Sequence, residues 1–207
     1  MSDEKISREQ ILGKITDLIE LQEAISEHVG KKLCDHCESP EENWDEQRKS
    51  IMKMMKNLLG KYDVAKLLPK EDIGIGVLAV LSYLIQIQHA FVQVVVMIDM
   101  MQGESFGEIF LDSMNALSTK AHKELTILKT LTQQRIREKE LSMDSFNAIL
   151  RLEREIDEDN IVICRQISAI SVEGETNYTC YIMRKIVSQI EHISDFIKDA
   201  AEIIVDI

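Results

Sequence analysis

The segment IVSQIEHISDFIKDAAEIIVDI, residues 186–207, decides the fold class. Ile186, Ile190, Ile193 and Ile197 recur at spacings of three and four, which traces one stripe along a helix. Glu191, Asp195 and Asp199 fall at i, i+4 and i+8 and form a second line beside it. The same period runs through earlier parts of the chain. Phe110, Met114, Leu117, Ala121, Leu125 and Leu128 make one stripe, and Ile11, Ile15, Leu18, Ile25, Val29 and Leu33 another. No comparable stretch alternates with period two, so an all-α chain is expected. Composition agrees, with only 2 prolines and 8 glycines in 207 residues.

Start signals divide the pattern into elements. Ser7-x-x-Gln10, Ser39-x-x-Glu42 with Pro40 at the first helical position, and Ser105-x-x-Glu108 each fit a capping box, in which side chains satisfy the orphan N–H groups of a helix start. Weaker starts lie near Pro69 to Asp72, Ser142 to Asp144 and Gly174 to Thr176. The predicted helices span 5–33, 40–60, 70–102, 105–138, 142–170 and 175–205, and short connections imply antiparallel neighbours. Gln102-Gly103-Glu104 separates two halves, 1–102 and 103–207, each reading long helix, shorter helix, long helix. The expected architecture is therefore six antiparallel helices arranged as two three-helix bundle repeats, packed as one globular unit. Ile11, Ile15, Leu18, Met55, Ile156, Ile163, Ile186, Ile190 and Ile197 are its predicted core.

The formal net charge of −12 repels phosphate backbones, which argues against nucleic acid and favours cations or basic protein surfaces as partners. The four cysteines, at 34, 37, 164 and 180, accompany an N-terminus that is charged from residue 3 onward. A cytoplasmic protein with reduced thiols is expected. Cys34-Asp35-His36-Cys37 is a single CxxC, whereas a structural zinc draws on two such clusters, so the pair reads as ordinary residues at a helix end. Residues 73–98 are long and apolar enough to span a bilayer. Gln86, Gln88, His89 and Gln93 interrupt the stretch and no basic anchor beyond Lys70 flanks it, so a buried helix is expected, peripheral to a membrane at most. Its apolar content exceeds what one solvated helix needs, and part of it is expected to face a partner or a second subunit in a homo-oligomer.

Glu153 and Asp157 repeat the i, i+4 spacing of Glu191 and Asp195. Like charges at this spacing destabilise a helix by about 0.2–0.5 kcal/mol per pair, and a bound cation would compensate. Oxygen-only ligands suit Mg²⁺, Ca²⁺ or Mn²⁺, and carboxylate clusters also hold iron. A solvated acidic face is the alternative. Glu41 through Glu46 parallels Glu153 through Glu158 at an offset of 112, with Glu41 and Asp45 as its pair. At an offset of 109, Ser82 stands opposite Glu191 and Gln86 opposite Asp195, so the third helix lacks the acidic pair. The chain has no Glu-x-x-His di-iron motif, no Gly-rich phosphate loop and no strand–turn–helix setting for a serine nucleophile. An enzyme is not expected.

LEREIDEDN, residues 152–160, followed by the segment quoted at the outset, resembles the PhoU-like family, and within it the branch of accessory proteins of phosphate transporters. In that family three-helix repeats each carry a Glu/Asp-x-x-x-Asp motif on neighbouring helices. The resemblance implies metal ligands at Glu153, Asp157, Glu191, Asp195 and Asp199 in the second repeat, and at Glu41 and Asp45 in half of the first. Ser82 and Gln86 depart from the pattern. The implied metal is a divalent or ferric ion such as iron, zinc, magnesium or manganese. The implied role is regulation of phosphate transport by metal-dependent contact with a membrane transporter or its signalling partner. A metal-storage or metal-dependent hydrolytic bundle is the alternative.

Overall fold

The computed structural model describes residues 7–34, 73–101, 108–137, 143–171 and 178–207, together with the single positions 46, 49 and 53. These residues form five long helices: α1 (Arg8–Lys32), α2 (Ile73–Met100), α3 (Glu108–Arg137), α4 (Asp144–Ser171) and α5 (Tyr178–Asp206). No strand occurs among the described residues. The helix expected over 40–60 lies outside them, apart from Glu46, Lys49 and Lys53, which are helical and exposed.

The capping box at Ser7 forms as its sequence requires. The Ser7 hydroxyl accepts from the Gln10 amide at 3.2 Å, and the Ser7 amide donates to Gln10 Oε1 at 2.9 Å. Lys31 and Lys32 in the last turn complement the negative end of the helix dipole. The boxes at Ser39 and Ser105 begin outside the described residues.

Side-chain contacts fix the helix directions. Arg8 Nε donates to the carbonyl of Ile207 at 3.1 Å, which brings the start of α1 to the end of α5. Lys32 pairs with Asp99, so α1 and α2 finish at the same end and run parallel. Lys129 pairs with Glu23 midway along α1 and α3. Lys120 bridges to Glu155 at 3.3 Å and Asp159 at 2.9 Å, and Ser145 donates to Gln134 at 3.0 Å, which sets α4 antiparallel to α3. Arg184 donates to Ser168 at 2.8 Å and returns α5 against α4. The helices α1, α2, α5 and α3 thus form a ring around one core, and α4 packs in the groove between α3 and α5.

Alternate turns of each helix supply that core. Ile15, Leu18, Ile156, Ile163, Ile186, Ile190 and Ile197 are buried, as their spacing predicts. Ile11 is only partly buried, and Met55 lies outside the described residues. Gly76 lets α2 approach the last turn of α5 closely, because a Cβ there would lie 2.9 Å from Ile207 Cγ1. Cys34, just beyond α1, is disulfide-bonded, which corrects the expectation of reduced thiols for that residue; Cys164 and Cys180 are free.

Gly74–Met100 is long and apolar enough to cross a membrane, yet 44% of its most apolar stretch is buried inside the protein. Phe91, Leu84 and Ile87 fill the core, whereas Ile75, Leu78, Val96 and Met100 are exposed. The expected burial of this helix therefore holds for one side only.

A candidate acidic site between three helices

Because α4 and α5 run antiparallel, Glu153 and Asp157 come within electrostatic reach of Glu191 and Asp195. Burial pushes the Asp157 carboxyl above its ordinary range, and the charges of Glu153 and Asp195 push it further, against the opposing pull of Lys198. The Glu191 carboxyl is raised for the same reasons, by burial first and then by Asp195, while His192 opposes the shift. Lys198 is the cation at the centre of this group. Its ammonium lies 2.6 Å from Glu153 Oε1 and 3.4 Å from Asp195 Oδ1, and these bonds hold it charged.

A fifth carboxyl lies beneath. Glu124 of α3 is completely buried, and neither of its oxygens has a hydrogen-bond partner of ordinary geometry. The Ser194 hydroxyl on α5, itself buried, is the neighbouring group that favours the ionised form. Burial dominates, reinforced by the charges of Glu153, Asp195 and Asp157, and the Glu124 pKa is pushed up to about 8. At neutral pH this side chain therefore holds a proton beneath the other four carboxyl groups.

Glu153, Asp157, Glu191 and Asp195 are thus brought together, as their spacing suggests. Asp199 is not brought in with them. It faces α2, where its charge beside the Tyr83 phenol raises that group's pKa. Tyr83 also lies against Phe196, with ring centroids 6.3 Å apart. Glu41 and Asp45 lie outside the described residues. Arg154, next to Glu153 in sequence, is exposed on the outer side of α4.

Sequence reasoning missed Glu124, although a signal existed. Leu117, Ala121, Glu124 and Leu128 follow one another at helical spacing, so a glutamate sits on the apolar stripe of α3.

A cation would suit the charge of this site, since one ammonium stands among five carboxyl groups. The spacing is less accommodating: among the described residues no group of three or more carboxylate, histidine or cysteine side chains is placed to share one metal ion. Lys198 already takes the place between Glu153 and Asp195. No family model matches the chain, and no curated protein or solved structure matches it.

Proposed function

We propose that the chain is a PhoU-like regulatory protein of phosphate transport, which acts by contact with a membrane transporter or its signalling partner and senses cations at the acidic site. In this proposal α3, α4 and α5 are the second three-helix repeat, and α1 and α2 belong to the first. The observation that carries it is the apposition of Glu153 and Asp157 with Glu191 and Asp195 across two antiparallel helices, above the buried Glu124.

The residues have separable roles. Glu153, Asp157, Glu191 and Asp195 would offer oxygen donors to a divalent or ferric ion, the hard-ligand chemistry such ions favour. Lys198 is the internal counter-ion and would have to withdraw to admit a metal. Glu124 keeps a proton and so limits the charge buried beneath the site. A bound ion would relieve the repulsion among these groups and link their occupancy to the packing of α4 on α5.

Titrating the purified chain with magnesium, manganese, zinc and iron while following its melting temperature tests the site. The expected outcome is a rise for at least one ion, by preferential binding to the folded form. Asp195→Asn should abolish that rise. No rise with any ion, together with a metal-free Asp195→Asn variant less stable than the parent, would make the carboxylates structural partners of Lys198. Recovery of a phosphate transporter or its signalling partner from native membranes tests the regulatory role. Metal-dependent phosphatase activity lost with Asp157→Asn would instead favour a hydrolytic bundle.

A further inference from the structure

The exposed side of α2 reads alike in both directions. Its exposed positions recur at spacings of three, four and seven along one face, with Ile75 and Leu78 at one end, Val96 and Met100 at the other, and Ser82, His89 and Gln93 between. Laid antiparallel against a second copy, with the two-fold axis between Ile87 and Gln88, Ile75 meets Met100, Leu78 comes beside Val96, Ser82 meets Gln93, and His89 comes opposite Gln86 near the axis. Apolar groups then cover apolar groups, and polar ones pair with polar ones. A self-complementary patch of this kind is what an isologous two-fold interface requires.

Charge selects the occupant. Asp99 is the one Asp, Glu, Lys or Arg between Ile73 and Met100, and Lys32 of the same chain neutralises it. A molecule of net charge −12 repels its own copy wherever acidic faces meet, and this helix is a face on which that cost vanishes. A bilayer surface is a poorer occupant, because interfacial helices carry Lys or Arg along their polar edge and no such residue occurs from Glu71 through Thr119. A basic partner protein would find no ion pair here.

We infer that the chain forms an antiparallel two-fold dimer through the exposed side of α2. This goes beyond the proposal for the acidic site and does not depend on it. A helix of 28 residues presents a face about 42 Å long and about 10 Å wide, on the order of 400 Å² per copy, against the roughly 800 Å² of a standard interface. The dimer is therefore weak and reversible.

Sedimentation velocity of the full chain over a wide concentration series tests this. A monomer–dimer equilibrium is expected, weakened at least tenfold by Val96→Glu, while the helical circular dichroism spectrum stays unchanged because Val96 lies on the exposed side of α2. Orientation is read by cross-linking in a background with all four cysteines replaced by serine. A mixture of Ile75→Cys and Met100→Cys chains should form a disulfide-linked pair, and Ile75→Cys alone should not. A strict monomer at the highest concentration, a dimer indifferent to Val96→Glu, ready self-linkage of Ile75→Cys, or pelleting with anionic vesicles in place of dimerisation would each overturn the inference.

Discussion

Lys198 crosses from α5 to place its ammonium 2.6 Å from Glu153 Oε1 on α4, so one side chain both offsets part of the charge of the acidic site and fastens two helices. The Glu153 side chain is only 12% exposed, and removing its partner would leave a largely desolvated carboxylate. We predict that Lys198→Met destabilises the metal-free protein by about 1–3 kcal/mol in denaturant titrations at neutral pH. On the proposed function, the variant regains part of that loss on adding a divalent ion and binds it more tightly than the parent does. A variant as stable as the parent would show that the bond contributes nothing.

The buried Glu124 makes a prediction whose sign runs opposite to the usual carboxylate case. Its folded pKa of about 8 lies above the ordinary value of 4.5, so its contribution is fully present below pH 4.5. As pH rises toward 8 the unfolded chain gives up this proton while the folded chain keeps it, and stability falls. Asp157 and Glu191, also raised, add to the same trend. Glu124→Gln should remove much of the decline and raise the melting temperature at pH 8 more than at pH 5. Equal effects at both pH values would mean that Glu124 is ionised in the folded protein.

Core and surface positions should separate cleanly. Ile190 is buried within the ring of helices, and Ile190→Ala is expected to cost about 2–5 kcal/mol by denaturant titration. Lys14 makes an exposed pair with Asp17 at 3.2 Å, and Lys14→Ala should cost about 0.5 kcal/mol or less. Lys120, which serves two acidic partners on α4, should fall between them.

Two glycines inside helices should respond differently to alanine. A Cβ at Gly13 meets nothing within 4 Å, so Gly13→Ala should stabilise α1 by about 0.5–1 kcal/mol through helix propensity alone. At Gly76 the same methyl would press on Ile207 and Ile203 side chains, at 2.9 Å and 3.3 Å, and the gain should be reduced or reversed. Melting temperatures of the two single variants check this.

The all-α class and the course of the five described helices were legible because apolar spacing reports directly on the 3.6-residue turn. The segment 175–205 was expected to be helical, and Tyr178–Asp206 is. Spacing also placed Glu153, Asp157, Glu191 and Asp195 on facing helices. It misjudged Asp199, because eight residues advance a helix by about 80° beyond two full turns, enough to swing this side chain from α4 toward α2. Glu124 was missed for a different reason. A buried acid looks like an error in an apolar stripe until the acidic groups above it and the neighbouring Ser194 are seen together. Which helices are parallel could not be read at all, since that depends on contacts such as Lys32 with Asp99, 67 positions apart.

The ring of helices carries a kinetic consequence. α3, α4 and α5 follow one another in sequence and pack on one another, so their contacts close through short connections. α1 packs on α2 and α3, and its ties to Lys129 and Ile207 span 106 and 199 residues. Contacts that distant gain little until the rest of the chain is in place, and they slow folding relative to helical proteins with local contacts. Ile186→Val on α5 should therefore mainly slow refolding, whereas Ile15→Val on α1 should mainly hasten unfolding. Stopped-flow folding and unfolding limbs of the two variants would reveal whether α1 docks last.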